Sequence, residues 1–340
     1  MEHPLPVSEF LAARRDRVVL DVRSPGEYAH GHIPGAVAFP LFTDEERAKV
    51  GTIYKQQGKE LALELGLAFV GPKMATFVKQ AKKIAPDRRL AVHCWRGGQR
   101  SRSMAWLLRL SGFDVVTLGG GYKSYRQHLL SAFEQVTFAD FRVVGGRTGT
   151  GKTKILHALR DLGEQVIDLE AIAHHKGSAF GTIGESPQPT VEQFENDLFE
   201  ALLQLDLSQT IWTENESRSI GRVFIPDGFW ARMKAAPLYN VSIPHAVRLE
   251  NLVKDYVGTD KSELAAAFYK IDKKLGGLQL KTALEALERD DFTAAAEIAL
   301  WYYDKTYQHC LDNNPSPDIK MLEFEHGEPK SIAFMLTSLK

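Results

Sequence analysis

Blocks of apolar and polar residues alternate along the first 137 positions, and they predict strands and helices in turn. Short apolar runs are typical of buried strands, whereas apolar positions spaced three and four apart, such as Met104, Leu107 and Leu108, are typical of helices. The pattern predicts strands at 17–21, 89–93 and 115–118, and helices at 74–84, 100–110 and 122–133. This order predicts a parallel α/β sheet, with an insertion of short helices over the less regular region 42–72.

The alternation restarts near residue 138. Phe141–Val144 has the pattern of a buried strand, and a glycine-bearing loop and a helix over 154–162 follow it. Further strands are predicted at 165–168 and 210–213, and the segment 261–310 has helical spacing with a Leu- and Ala-rich face that we interpret as core. The chain is long for one domain. We therefore expect two α/β domains, 1–137 and 138–340, the second with a helical C-terminal part.

The composition is that of an ordinary globular protein. The 340 residues are 44% hydrophobic and 25% charged, and the net charge of −1 provides no global attraction to nucleic acid or membrane. Two cysteines, Cys94 and Cys310, exclude a disulfide framework and favour a reducing, cytoplasmic setting. We expect no signal peptide and, since we find no apolar stretch of about 18 residues, no membrane-spanning helix.

Cys94 stands at the end of the strand predicted at 89–93, before a glycine-bearing loop and a helix. Backbone N–H groups converge in such a loop and attract anions, and the same field favours the thiolate, which is the nucleophilic form of cysteine. Arg96, Arg100 and Arg102 add positive charge nearby. The pattern predicts a catalytic thiolate that meets an anionic donor.

The loop that follows Phe141–Val144 matches the phosphate-binding P-loop. Its glycines allow backbone N–H groups to wrap a phosphate, Lys152 supplies a point charge, and Thr153 is placed to join the ligand shell of Mg²⁺. Mg²⁺ is the only cofactor that this pattern suggests, and no metal site is certain from it. The predicted phosphate-binding residues are Gly146, Gly149, Gly151, Lys152 and Thr153.

Acidic residues follow two later strands of the second domain. Asp168, Glu214 and Glu216 stand where the carboxyl ends of parallel strands face a ligand crevice, so they are candidates for an acid, a base or a Mg²⁺ ligand, with capping or surface roles as the alternative.

Positive charge is concentrated between residues 73 and 102, where nine basic residues face one acid, Asp87. Such a cluster beside a reactive cysteine predicts contact with a nucleic-acid backbone, although a solvated helix face explains it equally well. The residues predicted to bind RNA are Lys79, Lys82, Lys83, Arg88 and Arg89.

Two segments upstream of Cys94 carry a family resemblance. Asp21–Tyr28 (DVRSPGEY) and Gly31–Ala36 (GHIPGA) resemble the signature of rhodanese sulfurtransferase domains, in which the Cys94 position carries a persulfide. Five residues separate Cys94 from Arg100, a longer loop than common rhodaneses have. That length resembles the rhodanese-like dual-specificity phosphatases.

The whole chain resembles the tRNA 2-selenouridine synthase family. The match rests on 21–36, on the Cys94–Ser101 run (CWRGGQRS), on 145–153, and on the segments 168–170, 177–181 and 214–218. The resemblance implies a rhodanese-like domain fused to a P-loop domain, and an enzyme that replaces the sulfur of 2-thiouridine at the tRNA wobble base by selenium. It implies selenophosphate as the donor and a geranylated intermediate made from geranyl diphosphate.

The resemblance also suggests roles for individual residues. Cys94 would accept selenium as a perselenide while Arg96 and Arg100 neutralise the departing phosphate, and the P-loop would hold the diphosphate of the prenyl donor. Partners would be tRNA and these two small anions, with no membrane and no obligate protein partner. Aromatic residues near the P-loop are candidates for a prenyl channel or for ordinary core: Phe180, Phe194, Phe199, Trp212 and Phe224.

Two other functions stay open at this point. A P-loop kinase or NTPase with a regulatory sulfurtransferase domain would turn over ATP without Cys94. A rhodanese-like phosphatase would use Cys94 and a general acid, which the sequence does not identify.

Overall fold

The computed structural model describes residues 3–313, 316 and 318–339, and it divides the chain into two compact units, Met1–Ala132 and Phe133–Lys340. The boundary predicted between residues 137 and 138 lies five residues beyond this division and stays a prediction. Each unit is built on its own parallel sheet, so the predicted α/β class is confirmed.

The first unit has a four-stranded parallel sheet in the order β2-β1-β3-β4. Its strands are β1 (Val18–Asp21), β2 (Val37–Ala38), β3 (Arg89–His93) and β4 (Asp114–Thr117). Its helices are α1 (Val7–Ala13), α2 (Pro25–His30), α3 (Asp44–Gln56), α4 (Lys59–Val70), α5 (Met74–Ile84), α6 (Gln99–Leu110) and α7 (Gly121–Gln135), the last of which continues into the second unit. Leu20, Leu90 and Val92 of the central strands pack against Met104 and Leu108 of α6. This apolar layer fixes the carboxyl end of β3, where Cys94 lies.

The segment from α4 to α5 corrects one sequence prediction. An 18-residue window within Lys59–Ile84 has the length and composition of a membrane span, with a mean hydropathy of 1.4 and 17% of the window buried, although the sequence was expected to hold no such stretch. The segment is broken by a short 3₁₀ turn, Gly71–Lys73, and α5 buries Phe77 and Ala81 in the core of the first unit. A single segment that meets these length and composition criteria is weak evidence for a membrane.

The second unit has a five-stranded parallel sheet in the order β11-β10-β5-β7-β6, and a separate two-stranded ribbon. Its strands are β5 (Asp140–Gly145), β6 (Gln165–Ile167), β7 (Thr210–Glu214), β8 (Ser219–Ile220), β9 (Val223–Phe224), β10 (Leu238–Ser242) and β11 (Ile319–Glu323). Helices α8 (Lys152–Asp161) and α17 (Pro329–Ser338) pack side by side on the sheet through residues such as Ile155 and Leu336. In this strand order β5, the strand that carries the P-loop, is the central strand of the sheet.

The remaining helices of this unit are α9 (Leu169–Ala173), α10 (Val191–Leu203), α11 (Asp227–Ala235), α12 (His245–Tyr256), α13 (Lys261–Lys270), α14 (Asp272–Leu275), α15 (Gly277–Glu288) and α16 (Phe292–Asp312). Helices α13 to α16 form the helical part predicted over 261–310. They share a second apolar cluster with Phe180, separate from the cluster under the sheet.

Candidate functional sites

Cys94 lies in the loop between β3 and α6, as the sequence predicted. The side chain is buried, and its Sγ lies 3.2 Å from the Oγ of Ser101 in the first turn of α6. Ser101 also donates to the carbonyl of Gly98 at 3.3 Å. The hydroxyl therefore links the thiol to the loop and fixes where the sulfur points.

Glycines determine how tightly this loop is held. Gly97 and Gly121 have positive φ angles of +62° and +64°, and a Cβ on Gly121 would lie 2.3 Å from the carbonyl oxygen of Cys94. The backbone N–H groups of Tyr122 and Lys123 donate to the carbonyls of Cys94 and Trp95, at 2.8 and 2.9 Å. The start of α7 thus supports the Cys94 loop from behind.

The two arginines predicted to serve Cys94 differ in their surroundings. Arg96 is exposed, whereas Arg100 makes two hydrogen bonds to Glu27, at 2.6 and 3.2 Å. Burial opposes ionisation of Glu27, but the hydrogen bonds and charge of Arg100 outweigh it and lower the pKa of Glu27 to about 2. Sequence reasoning assigned Glu27 no role, although it lies in the quoted signature. Arg100 is thus held in place by a carboxylate, and Arg96 is the more accessible of the two arginines.

A buried polar group lies beneath the Cys94 loop. Arg23 pairs with Asp21 at 2.6 Å, and its guanidinium lies 3.8 Å from the centre of the Tyr122 ring. His93 is fully buried 3.8 Å from Asp21, and burial lowers its pKa to about 4 despite that carboxylate. Asp21 and Arg23 belong to the signature that the sequence analysis quoted, and here they act as internal supports.

The P-loop joins β5 to α8, which begins at Lys152, two residues before the predicted start at 154. Gly149 and Gly151 both have a φ angle of +82°, and a Cβ on Gly149 would lie 2.6 Å from the carbonyl oxygen of Arg248. Arg248 and Asn251 of α12 donate to the carbonyls of Thr148 and Gly149, at 3.1 and 3.0 Å. The loop is therefore fastened by α12.

Two further contacts position the P-loop from within. The N–H of Gly146 donates to the hydroxyl of Tyr307 at 2.8 Å, and Lys152 Nζ lies 3.3 Å from the Gly146 carbonyl. Burial lowers the pKa of Lys152, but Glu216 and Glu170 outweigh it and raise the pKa above its ordinary value. Lys152 therefore stays charged, as a phosphate-binding lysine must.

Three glutamates lie beside Lys152. Thr153 donates to Glu170 at 2.7 Å, and the N–H of Glu170 donates to Glu214 at 2.8 Å. Glu214 is fully buried, and burial with Asp168 and Glu170 nearby raises its pKa well above the ordinary value. Burial and Glu170 likewise raise the pKa of Glu216 to about 8. Sequence reasoning named Glu214 and Glu216 but missed Glu170, which contacts both.

Asp168 has the capping role that sequence analysis gave as its alternative. Its carboxylate accepts from the N–H of Ala171 at 2.9 Å, at the start of α9, and lies 2.8 Å from His157 Nε2. Both contacts fix the carboxylate in place. Asp168 also borders the same cavity as the P-loop, and its role as an acid, a base or a Mg²⁺ ligand stays a prediction.

A cavity of about 1060 Å³ contains most of the predicted phosphate site. The predicted residues that line it are Gly146, Gly149, Gly151, Lys152, Thr153, Asp168 and Glu216. Lys234, Tyr307 and the exposed Cys310 line it as well. Glu214 does not line the cavity, but it accepts from the N–H of Glu170 and acts on Lys152 by its charge.

The donor set beside the P-loop fits Mg²⁺ in part. A hydroxyl and carboxylate oxygens are the ligands that Mg²⁺ prefers, and Thr153, Glu170 and Glu216 supply them. Among the described residues, however, no three His, Cys, Asp or Glu side chains form a metal site by themselves. A Mg²⁺ ion held by Thr153, Glu170 and Glu216 would need phosphate oxygens of a ligand to complete its shell, and it would neutralise their charge.

The predicted RNA-binding residues fall into two groups. Lys79, Lys82 and Lys83 are exposed on α5, spaced so that they share one side of the helix, and none of the three forms an ion pair with another described residue. Arg88 donates to the carbonyl of Ser111 at 3.0 Å, and Arg89 pairs with Asp16. Helix α5 packs beside α6, which follows the Cys94 loop. The lysines are the free part of the cluster, and the arginines have structural partners.

The aromatic residues considered for a prenyl channel do not line one common cavity among those that border the P-loop. Phe194, Phe199 and Trp212 are buried in the core of the second unit, and Phe224 is half exposed on the ribbon. Phe180 alone borders a cavity near the P-loop.

Comparisons with known proteins match both units. Residues 7–128 match the model of the rhodanese-like domain, and residues 139–325 match the model described as the tRNA 2-selenouridine synthase AAA domain. The protein is thus a rhodanese-like domain joined to a P-loop domain, as the sequence predicted.

Similar proteins extend the match over most of the chain. A tRNA 2-selenouridine synthase from Nitrosomonas europaea is 36% identical, covering 87% of this chain and 89% of its own. One from Bdellovibrio bacteriovorus is also 36% identical, covering 86% and 89%. A crystal structure titled as the N-terminal domain of a putative ATP/GTP binding protein from Clostridium difficile 630 is 39% identical over 38% of this chain and 99% of that one, with a TM-score of 0.35.

The chain belongs to the tRNA 2-selenouridine synthase family. The family named from the sequence is therefore confirmed, and with it the expectation of an enzyme of the transferase class.

Proposed function

We propose that this protein replaces the sulfur of 2-thiouridine at the tRNA wobble position by selenium, in two steps that use the two loops separately. The printed name of its relatives, tRNA 2-selenouridine synthase, supports the overall reaction. The observation that carries the division of labour is that one chain holds a buried thiol in a glycine-supported loop and, in another unit, a complete P-loop. Each loop suits a different anionic donor.

The first step is assigned to the P-loop unit, with geranyl diphosphate as the donor. The thiouridine sulfur attacks C1 of the geranyl group, the C1–O bond breaks, and diphosphate leaves with the bonding electrons while the base loses its N3 proton. Lys152 and the N–H groups of the P-loop stabilise the charge that develops on the diphosphate. The alkylated sulfur is then a good leaving group, which a free thiocarbonyl is not.

The second step is assigned to Cys94, with selenophosphate as the donor. Attack of the thiolate on phosphorus forms an S–P bond and breaks the Se–P bond, whose electrons stay on selenium and give selenide. Selenide adds to C2 of the base and expels geranylthiolate, and water later releases phosphate from Cys94. No atom changes oxidation state, whereas a Cys94 perselenide would require the phosphorus to leave as phosphite.

The surroundings of the thiol support attack on phosphorus. Ser101 lies 3.2 Å from the sulfur, where its hydroxyl, once rotated away from the Gly98 carbonyl, donates to the thiolate that leaves phosphorus. Five residues separate Cys94 from Arg100, the loop length of phosphatases that the sequence resembles. Arg96, which is exposed, meets the incoming anion, and Arg100, held by Glu27, borders the loop.

The RNA substrate is assigned to the first unit. Lys79, Lys82 and Lys83 offer three positive charges on one side of α5, beside the helix that follows Cys94. Phosphate contacts of this kind position an RNA without reading its sequence. The cytoplasm, where tRNA is modified, is the proposed location, and no obligate protein partner is required.

Nucleoside mass spectrometry of tRNA from cells with and without the gene tests the overall reaction. We expect 2-selenouridine in selenium-fed cells with the gene, and 2-thiouridine in its place without it. Equal amounts of 2-selenouridine in both strains would overturn the proposal. Phosphorus NMR of purified protein with selenophosphate tests the second step. We expect phosphate as the product, and phosphite would instead indicate a Cys94 perselenide.

A further inference from the structure

A second cavity of about 40 Å³ adjoins the P-loop cavity in the second unit. We call it the apolar slot. Its lining is shared with the larger cavity at five residues, which form its mouth: Thr148, Ser178, Leu252, Tyr256 and Tyr303. Because Thr148 belongs to the P-loop itself, the slot begins where a bound phosphate group would end.

The slot changes from polar to apolar with depth. At the mouth, the Tyr303 hydroxyl accepts from the N–H of Ala179 at 2.9 Å, and burial raises the pKa of Tyr303 to about 12, so the phenol is neutral. Beyond the mouth the lining is entirely carbon, from α13, α15 and α16: Leu264, Phe268, Leu287, Phe292, Ala295 and Ala299. A ligand that enters from the P-loop therefore leaves its charge outside and meets only hydrocarbon further in.

We propose that the apolar slot binds the terminal methyl groups of a prenyl diphosphate whose diphosphate lies on the P-loop, and that the depth of the slot selects the chain length. This inference rests on the proposed function and adds the residues that would set its substrate specificity. Ala295 and Ala299 lie one turn apart on α16 and are almost completely buried. Small side chains at these positions leave the narrow space that a branched hydrocarbon tail can fill.

The shape of the slot disfavours the alternative occupant, a nucleobase. A base is held between parallel faces and by hydrogen bonds to its edge, but the Phe180 and Phe268 rings meet edge to face, at 85° with centres 5.0 Å apart. Two hydroxyls at the mouth already have partners within the protein: Tyr303 accepts from the N–H of Ala179 at 2.9 Å, and Ser178 accepts from the N–H of Phe180 at 3.2 Å. Beyond its mouth, the described lining of the slot therefore has no aromatic face on which a base could stack and no free groups to hydrogen-bond to the edge of a base.

Two substitutions change the slot in opposite directions. Ala299→Leu fills it, and Leu287→Ala enlarges it. Ala283→Leu is the matched control, because Ala283 is buried in the same helical cluster but does not line the slot. Circular dichroism of each variant establishes that it is folded before it is compared.

Calorimetry with two probes separates the head of the ligand from its tail. Ala299→Leu is expected to lower the affinity for geranyl diphosphate at least about tenfold. Its affinity for inorganic diphosphate should stay within about twofold of that of the unchanged protein. Ala283→Leu should change the affinity for neither probe. Equal losses for the two probes in Ala299→Leu, or a selective loss of ATP or GTP binding, would overturn the inference.

Competition among prenyl diphosphates in transfer to tRNA supplies the second readout. Ala299→Leu should favour the five-carbon dimethylallyl donor, and Leu287→Ala should raise use of the fifteen-carbon farnesyl donor severalfold over the unchanged protein. Geranyl transfer by the unchanged protein with no shift in either variant would refute the slot alone. Absence of any prenyl transfer by the unchanged protein would refute both the slot and the geranyl step of the proposed function.

Discussion

The Cys94 loop and the P-loop have the same architecture and opposite electrostatic surroundings. Each follows a central parallel strand, each needs glycines at positive φ, and each leads into a helix. The Cys94 loop has Arg96 and Arg100 beside it, and the carboxylate nearest to Arg100, that of Glu27, is fully ionised and paired. The P-loop instead has Lys152 among glutamates, and the pKa of Glu216 is raised to about 8.

This difference indicates that the two loops accept anions under different conditions. The Cys94 loop has two arginines beside it, Arg96 and Arg100, which attract a small anion such as selenophosphate. The P-loop cavity is lined by as many acidic as basic side chains, so a diphosphate binds better when a proton or a divalent cation neutralises Glu216. Substitutions at the two loops should therefore fail in different steps and respond differently to pH.

Cys94→Ser is expected to have the largest effect. Selenium incorporation into tRNA should fall at least about 1,000-fold, because a serine hydroxyl is a far weaker nucleophile at neutral pH than a thiolate. Geranyl transfer should continue, since no thiol takes part in it. Cys310→Ser is the matched control for loss of a thiol and, because Cys310 lines the P-loop cavity, it is compared on selenium incorporation into geranylated tRNA, which it should keep. Selenium incorporation by Cys94→Ser at the normal rate would remove Cys94 from the mechanism.

Lys152→Ala should have the next largest effect, and on the other step. The variant lacks the positive charge that stabilises the departing diphosphate, so geranyl transfer should slow about 100-fold. Arg160→Ala is the control, because Arg160 lies on the same helix but is exposed and is not among the residues that line the P-loop cavity. Supply of geranylated tRNA should restore most of the selenation in Lys152→Ala. A defect that this substrate does not bypass would place Lys152 in the selenium step as well.

Glu216→Gln tests the charge around the P-loop through its pH dependence. In the unchanged protein, affinity for inorganic diphosphate should fall as pH rises through about 8, because Glu216 then loses its proton and repels the ligand. The glutamine variant should lose this fall, and a fall of unchanged size would show that another group causes it.

The same residue should affect stability. Between its ordinary pKa near 4.5 and its folded pKa near 8, Glu216 holds a proton in the folded state that the unfolded chain has lost. The free energy of unfolding therefore falls as pH rises across that interval, and denaturant titrations should show a smaller fall in Glu216→Gln.

The sequence predicted the loops better than it predicted their partners. The strand–loop–helix order and the glycines are local, so the positions of Cys94, Lys152 and Thr153 at the junction of a strand, a loop and a helix were predicted directly. Glu27 and Glu170 were missed because their partners, Arg100 and Thr153, lie 73 and 17 residues away in sequence. A local pattern contains no information about such pairing.

Long-range pairing also explains why only part of the basic cluster is left for RNA. Nine basic residues stand close in sequence, but Lys73, Arg89 and Arg100 pair with Glu46, Asp16 and Glu27, which lie far from them in the chain. Only the structure separates these paired residues from the lysines on α5. Strands β10 and β11 were likewise not predicted, although they complete the sheet on one side of the P-loop strand.

The smallest expected effect belongs to the lysines on α5. Lys82→Glu with Lys83→Glu should weaken tRNA binding about tenfold and reduce the salt dependence of log K by a slope of about 2, one for each lost phosphate contact. Lys281→Glu, on an exposed helix of the second unit, is the control for added negative charge. Unchanged affinity and salt slope in the double variant would move the RNA surface away from α5.

The central claim is that one chain performs two reactions at two loops, and product analysis of the two loop variants tests it most directly. Purified Cys94→Ser and Lys152→Ala are each incubated with thiolated tRNA, geranyl diphosphate and selenophosphate, and the nucleosides are identified by mass spectrometry. We expect Cys94→Ser to accumulate S-geranyl-2-thiouridine and Lys152→Ala to leave 2-thiouridine unchanged. The same residual nucleoside in both reactions would contradict the assignment of separate steps to the two loops.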